Sequence, residues 1–393
     1  MRIAFAFTWL FNPNVGGTER VTDLLAKELI RRGHCIHYIY TVKRPTDSDY
    51  KYPTDKICFI DESIFVSSKG KELLHRYLID NEVDVVINQG GLMGTCKNFA
   101  DLPSICKSVT VIHFDPKYGL DSLFSELFTL RNSSFAEKIK RIYRVFAYRS
   151  RKKTLKKYLN TLYSYWNCKS DKIVLLSKNY IPDFSKLCPG LYKDKLTAIS
   201  NPISFPISNN ENSKENIILW VGRMDFRQKR PDLMVKIWAK SYSKLPGWKL
   251  VMIGGGPMFD SVKKMSKNVP QIELHGQQLS RPYYEKAKIC VSSSATEGLP
   301  MTLLEAISQG AVPIAFDSFA SIHDIIQSDK QLVTPFDINE YVEKLTELAC
   351  NLEMQEEARA NGYEVAERFS LKNIGDEWEK LLYSICDKSL LIG

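Results

Sequence analysis

The chain of 393 residues has no CxxC pair, no GxGxxG fingerprint and no apolar run that approaches the roughly 18 residues of a membrane-spanning helix. Its nine cysteines are odd in number and scattered singly, which points to reduced thiols and away from a disulfide framework. No helix-turn-helix, RNA-recognition or zinc-finger pattern is present, so nucleic acid is not expected as a partner. The apolar opening Arg2–Phe7 is too short for a signal peptide and reads as a buried first strand, so the expected location is cytoplasmic. Asp47-Ser48-Asp49 has the form of a metal-binding DxD triplet, but it lies in a lysine-rich, proline-bounded loop, and three-residue matches arise by chance. No metal is assigned to it. His34 and His37, three apart, would sit on opposite faces of a strand and make poor joint ligands.

What is present is length enough for two cores and an alternation of short apolar strands with helical patterns, the signature of α/β layers with parallel sheets. In the first half, strands are expected near Cys35–Val42, Val83–Asn88, Val109–Ile112 and Lys172–Ser177, with a helix carrying Val21, Leu24, Leu25 and Leu29 on one face and ending at Gly33. Gly16-Gly17 opens that helix and could be a plain strand-to-helix turn. His113 stands at the carboxyl end of a strand, where open parallel sheets bind ligands, although a core or hydrogen-bonding histidine is the commoner case. Ser200-Asn201-Pro202 reads as the break between domains. The expected division is 1–200, 201–370, and a terminal helical segment, 371–393, with Ile374, Trp378, Leu381 and Leu382 on one face.

The second half carries the denser chemistry. Gly222-Arg223 follows a strand at Asn216–Val221, and Lys229 comes six residues after Arg223, a spacing that suits either a solvated loop or a clamp on a diphosphate. Gly254-Gly255-Gly256-Pro257 follows strand Lys249–Ile253, and Gly276 follows Ile272–His275; each could be only a tight turn. Strand Lys288–Ser293 leads to Glu297-Gly298-Leu299-Pro300-Met301, after which a helix is expected over Met301–Ser308, with Glu305 one turn inside and a stop at Gly310. Glu297 could merely cap that helix and Glu305 face solvent. Together, though, two carboxylates around a helix start can take hydroxyls while the backbone amides of 298 to 301 face an anion.

Charge is concentrated in one stretch. Residues 131–160 hold eleven Lys or Arg against Glu137 alone, close to the whole chain's net +9. Ile139, Ile142, Tyr143, Phe146, Tyr148 and Tyr158 are interleaved, with Leu159, Leu162, Tyr163 and Trp166 beyond them. Such a helix suits an anionic membrane surface; a solvated basic face is the duller alternative.

The spacing Glu297-x7-Glu305, in EGLPMTLLE, resembles the signature of the retaining GT-B glycosyltransferases of the GT4 family, and GGTER, VIHFD, ISNP, WVGRMDFRQKRPD, VMIGGGP and LHG extend the resemblance over most of the chain. It implies two Rossmann-like domains facing across a cleft, with an acceptor-side first domain and a nucleotide-sugar-binding second. It also implies transfer of a hexose from a nucleotide sugar, with a lean toward uridine diphosphate, onto a lipid-linked or cell-surface glycan. Retention at the anomeric carbon and no cofactor beyond the donor are further implications, and the enzyme would sit peripherally on the cytoplasmic membrane face. Carried over residue by residue, Glu297 holds donor sugar hydroxyls and Glu305 the ribose, while Arg223 and Lys229 stabilise the departing diphosphate. His113 orients the sugar, and Gly16, Gly17, Gly254, Gly255, Gly276, Gly298, Leu299, Pro300 and Met301 line the donor pocket. One departure is visible: many relatives carry Gly-Gly-x-Pro-Glu after the strand that ends at Asp317, whereas this chain has Ser318-Phe319-Ala320-Ser321. An epimerase or phosphorylase of the same architecture, or a non-catalytic membrane scaffold, are the competing functions.

Overall fold

The computed structural model describes residues 1–9, 12–13, 16–43, 50–120, 123, 135–208 and 213–386, with the backbone alone for 135–145. Asp47-Ser48-Asp49 and the first residues of the basic stretch, 131–134, lie outside the described residues. The chain divides into two compact units, one made of 1–116, 153–204 and 371–393 and the other of 117–152 and 205–370. The passage at 204/205 and the return at 371 lie close to the boundaries read from the sequence, whereas 117–152 groups with the second unit.

The first unit is built on seven parallel strands: β1 (Arg2–Trp9), β2 (Cys35–Val42), β3 (Ile57–Phe59), β4 (Val85–Asn88), β5 (Lys107–Ile112), β6 (Lys172–Leu175) and β7 (Leu196–Ala198), in the order β3-β2-β1-β4-β5-β6-β7. The central strands are apolar without alternation because helices cover both faces, and Ile3, Ala4, Phe5 and Ala6 are completely buried. Helix α1 (Gly17–Arg31) buries Val21, Leu25 and Leu29. It ends through Gly33 at φ +89°, with the amides of Gly33 and His34 donating to Ile30 O and Leu29 O, the paired bonds that close a helix on a left-handed glycine.

Helix α2 (Phe135–Lys169) carries the basic stretch. Its last third buries Leu159, Leu162, Tyr163 and Trp166, with Tyr163 OH donating to Pro116 O at 2.8 Å and Trp166 Nε1 to Gly91 O at 2.8 Å. These four are therefore core residues and not part of a surface for a partner.

Six parallel strands form the second unit: β8 (Glu215–Val221), β9 (Lys249–Ile253), β10 (Ile272–Leu274), β11 (Ala287–Ser292), β12 (Val312–Phe316) and β13 (Leu332–Val333), ordered β10-β9-β8-β11-β12-β13. Trp220, Met252, Ile289, Val291, Ile314 and Phe316 pack with Met234, Ile237 and Trp238 of α3 (Pro231–Ser241). Strand order reverses between β8 and β11. The loops after those two neighbours flank the crevice where doubly wound sheets bind ligands.

Helix α4 (Met301–Ser308) follows the loop after β11 and closes at Gly310, φ +75°, with the bounds expected from its proline start and glycine stop. Helix α5 (Leu371–Ile385) belongs to the first unit and buries Ile374, Trp378 and Leu382, leaving Leu381 half-buried. It is fastened to α1 by Arg32, whose guanidinium meets Asp376 and Glu379 at 2.6 Å each and Glu28 at 2.8 Å.

Candidate donor site

The two loops at the reversal point are bound to each other. Lys229 Nζ lies 2.6 Å from Glu297 Oε1, and both side chains are largely out of solvent, at 15% and 6% exposure. A lysine so placed is no solvated surface charge. Two neutral groups also hold the carboxylate: Ser294 Oγ donates to Oε1 at 2.7 Å and Gln228 Nε2 donates to Oε2 at 2.8 Å. The backbones are joined as well: Ala295 N donates to Gln228 O at 2.7 Å, and Ser293 Oγ, itself receiving Trp220 Nε1 at 3.0 Å, donates to Lys229 O at 2.9 Å. Ser318, in the stretch where the chain departs from its relatives, donates to Ser294 O at 2.6 Å. That departure thus supports the Glu297 loop from behind.

Arg223 is different from Lys229. Its side chain is 68% exposed and rests on Asp225 at 3.1 Å, so the guanidinium is available to a ligand at the surface. Asp225 in turn accepts from Gln228 N at 2.7 Å, which shapes the turn between the two cations. Arg230 follows in the left-handed region, at φ +49°, held by Asp232 through two bonds of 3.0 and 3.1 Å.

The glycines divide by role. Gly254 has φ +136°, and a Cβ there would fall 1.9 Å from Gly222 O; its amide donates to Gly276 O at 2.6 Å. Met224 N donates to Gly255 O at 2.7 Å, so the loops after β8, β9 and β10 are stitched into one floor. At Gly255 a Cβ would meet only Gln277, at 3.9 Å.

At the start of α4 the structure narrows the expectation of a row of free amides. Pro300 has no N–H, and Met301 N turns back to Leu299 O at 2.8 Å, leaving Gly298 and Leu299 as the candidate donors among those four residues. Glu305, in the second turn of α4, is 3% exposed. It is an interior carboxylate and not a solvated face residue.

In the first unit, His113 Nε2 is bonded to Gln89 Oε1, and Nδ1 is sealed from solvent with no hydrogen-bond partner. The ring as a whole is half-buried, but the enclosure of its nitrogens pushes the pKa down to about 4, so the imidazole is neutral at physiological pH. That suits orientation of a hydroxyl and not proton donation. Gly16 is the extended N-cap of α1, and a Cβ there would meet only the flexible carboxylate of Glu19, while around Gly17 the space is open. His34 and His37 have separate partners, Glu379 at 2.8 Å and Tyr77 OH at 2.9 Å.

Gln228, Ser293 and Ser294 were not singled out by sequence reasoning, and Ser318 was marked only as part of the departure from relatives. The sequence signal for the first three was position: Gln228 precedes the motif lysine, and the two serines precede the acid.

Residues 204–365 match the model of the family described as glycosyl transferases, group 1. The Escherichia coli O-antigen biosynthesis glycosyltransferase WbnH is 29% identical over 184 residues, covering 46% of this chain and 52% of the relative. The chain's match spans about half the length of such curated relatives. Among solved structures, the apo form of the lipopolysaccharide outer core galactosyltransferase WaaB aligns with 98% of this chain and 99% of its own, at TM-score 0.68 and 18% identity. HepE of Anabaena in complex with UDP aligns over 98% and 100% at TM-score 0.72 and 13% identity, a likeness of fold. Over 204–365 the chain is thus similar to the group 1 glycosyl transferases, and along its whole length it has the GT-B fold.

Proposed function

We propose that the protein is a retaining glycosyltransferase of the GT4 type that moves a hexose from a UDP-sugar to a lipid-linked or cell-surface glycan in polysaccharide or lipopolysaccharide biosynthesis. The observation that carries this reading is the 2.6 Å contact between Lys229 and Glu297 at the reversal point of the second sheet. It joins a cation suited to a diphosphate with a carboxylate suited to sugar hydroxyls, the two halves of a nucleotide sugar. The O-antigen role in the name of the E. coli relative and the UDP in the HepE complex support the acceptor class and the base.

In this reading Arg223, Lys229 and the amides of Gly298 and Leu299 stabilise the departing diphosphate, by charge that is in place before reaction. Glu297 and His113 orient the sugar, Glu305 receives the ribose, and the glycine loops form the floor. The acceptor hydroxyl attacks from the face that the diphosphate leaves, and a phosphate oxygen takes its proton, so neither a divalent metal nor a covalent sugar-enzyme intermediate is needed. Peripheral attachment to the cytoplasmic membrane face through the basic part of α2 would bring the site to a lipid-borne acceptor.

A ligand that binds only the folded state raises the melting temperature. We expect a selective shift within a panel of UDP, GDP and ADP sugars, weakened by Arg223→Ala, whose exposed site leaves folding intact. No shift with any sugar nucleotide overturns the reading.

A further inference from the structure

We propose that Gln228 is a positioning residue that sets the carboxylate of Glu297 for recognition of the sugar, as distinct from the nucleotide. This rests on the donor-site reading above and names a residue that acts through Glu297. Gln228 is tied at three points: its amide nitrogen to Asp225 Oδ1 at 2.7 Å, its carbonyl to Ala295 N at 2.7 Å, and its side-chain Nε2 to Glu297 Oε2 at 2.8 Å. A glutamine held by its backbone in this way has its side-chain amide delivered to one place. Lys229 and Ser294 both engage Oε1 whereas Gln228 engages Oε2, so the Gln228 amide helps to set the plane of the carboxylate. Lys229 can balance the charge of Glu297 but, as a point charge on one oxygen, does not define that plane. A neutral amide does so without adding a second charge to the pair.

The consequence separates two ligands. Diphosphate recognition depends on Arg223, Lys229 and backbone amides, which remain when Gln228 loses its donor. Sugar recognition depends on the aim of Glu297. Replacing Gln228 by methionine, which keeps its length but removes the N–H, and replacing Ser294 by alanine each remove one directional bond to a charged group, worth about tenfold in affinity.

The experiment is isothermal titration of wild type, Gln228→Met and Ser294→Ala with UDP and with the UDP-sugar that wild type binds best, alongside the melting temperature of each unliganded protein. The expected result is a loss of about tenfold for the UDP-sugar and less than twofold for UDP in both variants. Equal loss for both ligands, or unchanged affinity for the UDP-sugar, overturns the proposal while leaving the donor site standing. A wild type that binds neither UDP nor any UDP-sugar overturns the donor-site reading and this inference with it. If Gln228→Met melts too low to titrate, Gln228→Leu, which also lacks the donor, carries the comparison.

Discussion

Lys229 and Arg223 come from one sequence element, yet the structure gives them opposite energetic standing. Removing Lys229 leaves the buried carboxylate of Glu297 without its counter-charge, which costs about 3 kcal/mol by analogy with other broken buried pairs. Arg223 is exposed, and losing its contact with Asp225 costs below about 1 kcal/mol. Denaturant unfolding of Lys229→Ala and Arg223→Ala should therefore separate clearly, with only the first destabilised. His113 allows a pH prediction. Its folded-state pKa, about 4, lies below the ordinary value of about 6.5, so the neutral ring contributes stability that is complete above pH 6.5 and lost as pH falls toward 4. In His113→Gln the drop in melting temperature across that window should be smaller than in wild type. An unchanged drop would show that the ring protonates as freely in the fold as outside it.

At the scale of elements, strands and helices with an unbroken apolar run or a clear stop were readable from the sequence alone. Cys35–Val42, Lys249–Ile253 and Met301–Ser308 were expected at the bounds the structure shows, because apolar runs, proline and glycine mark them. Arg223, Lys229 and Glu297 were marked in the sequence by the motifs that carry the family resemblance, and the structure brings Lys229 and Glu297 together. What spacing does not encode is contact between loops that are far apart in the chain. Gln228 reaches Glu297 across 69 positions, and the Ser318 hydroxyl meets a carbonyl 24 residues away. The same limit applies to glycines: Gly254 and Gly255 look alike in sequence, but only Gly254 has a backbone angle and a neighbour that forbid a side chain. Gly254→Ala should destabilise by about 3 kcal/mol or more, while Gly255→Ala stays within about 1 kcal/mol, as urea midpoints of the two variants would show. Equal midpoints would mean that the loops after β8 and β9 are not held as closely as described.

For the whole molecule, the proposed attachment to a membrane rests on an exposed basic face. No helix among the described residues is long and apolar enough to cross a membrane. On α2, Arg149, Arg151, Lys152, Lys153, Lys156 and Lys157 are exposed beside Phe146 at 83% exposure and Tyr158 at 46%. Cations near an anionic bilayer contribute about 1 kcal/mol each, and the attraction is screened by salt. Co-sedimentation with vesicles containing phosphatidylglycerol should fall at least tenfold when Arg149, Lys152, Lys153 and Lys156 are reversed to glutamate, and should weaken in 0.5 M salt. Binding that ignores both changes would assign this face to solvent.

Glu297, held by Lys229 at the reversal point of the second sheet, is proposed to orient the donor for transfer. The most direct measurement is release of nucleoside diphosphate from the preferred sugar nucleotide, in the presence of a membrane extract that supplies acceptor, by wild type and by Glu297→Gln. That substitution keeps the shape of the side chain and removes its charge. The expected result is a fall of about a hundredfold in turnover, the scale set by removing one preorganised electrostatic contact, with the folded state retained. Undiminished turnover would contradict it.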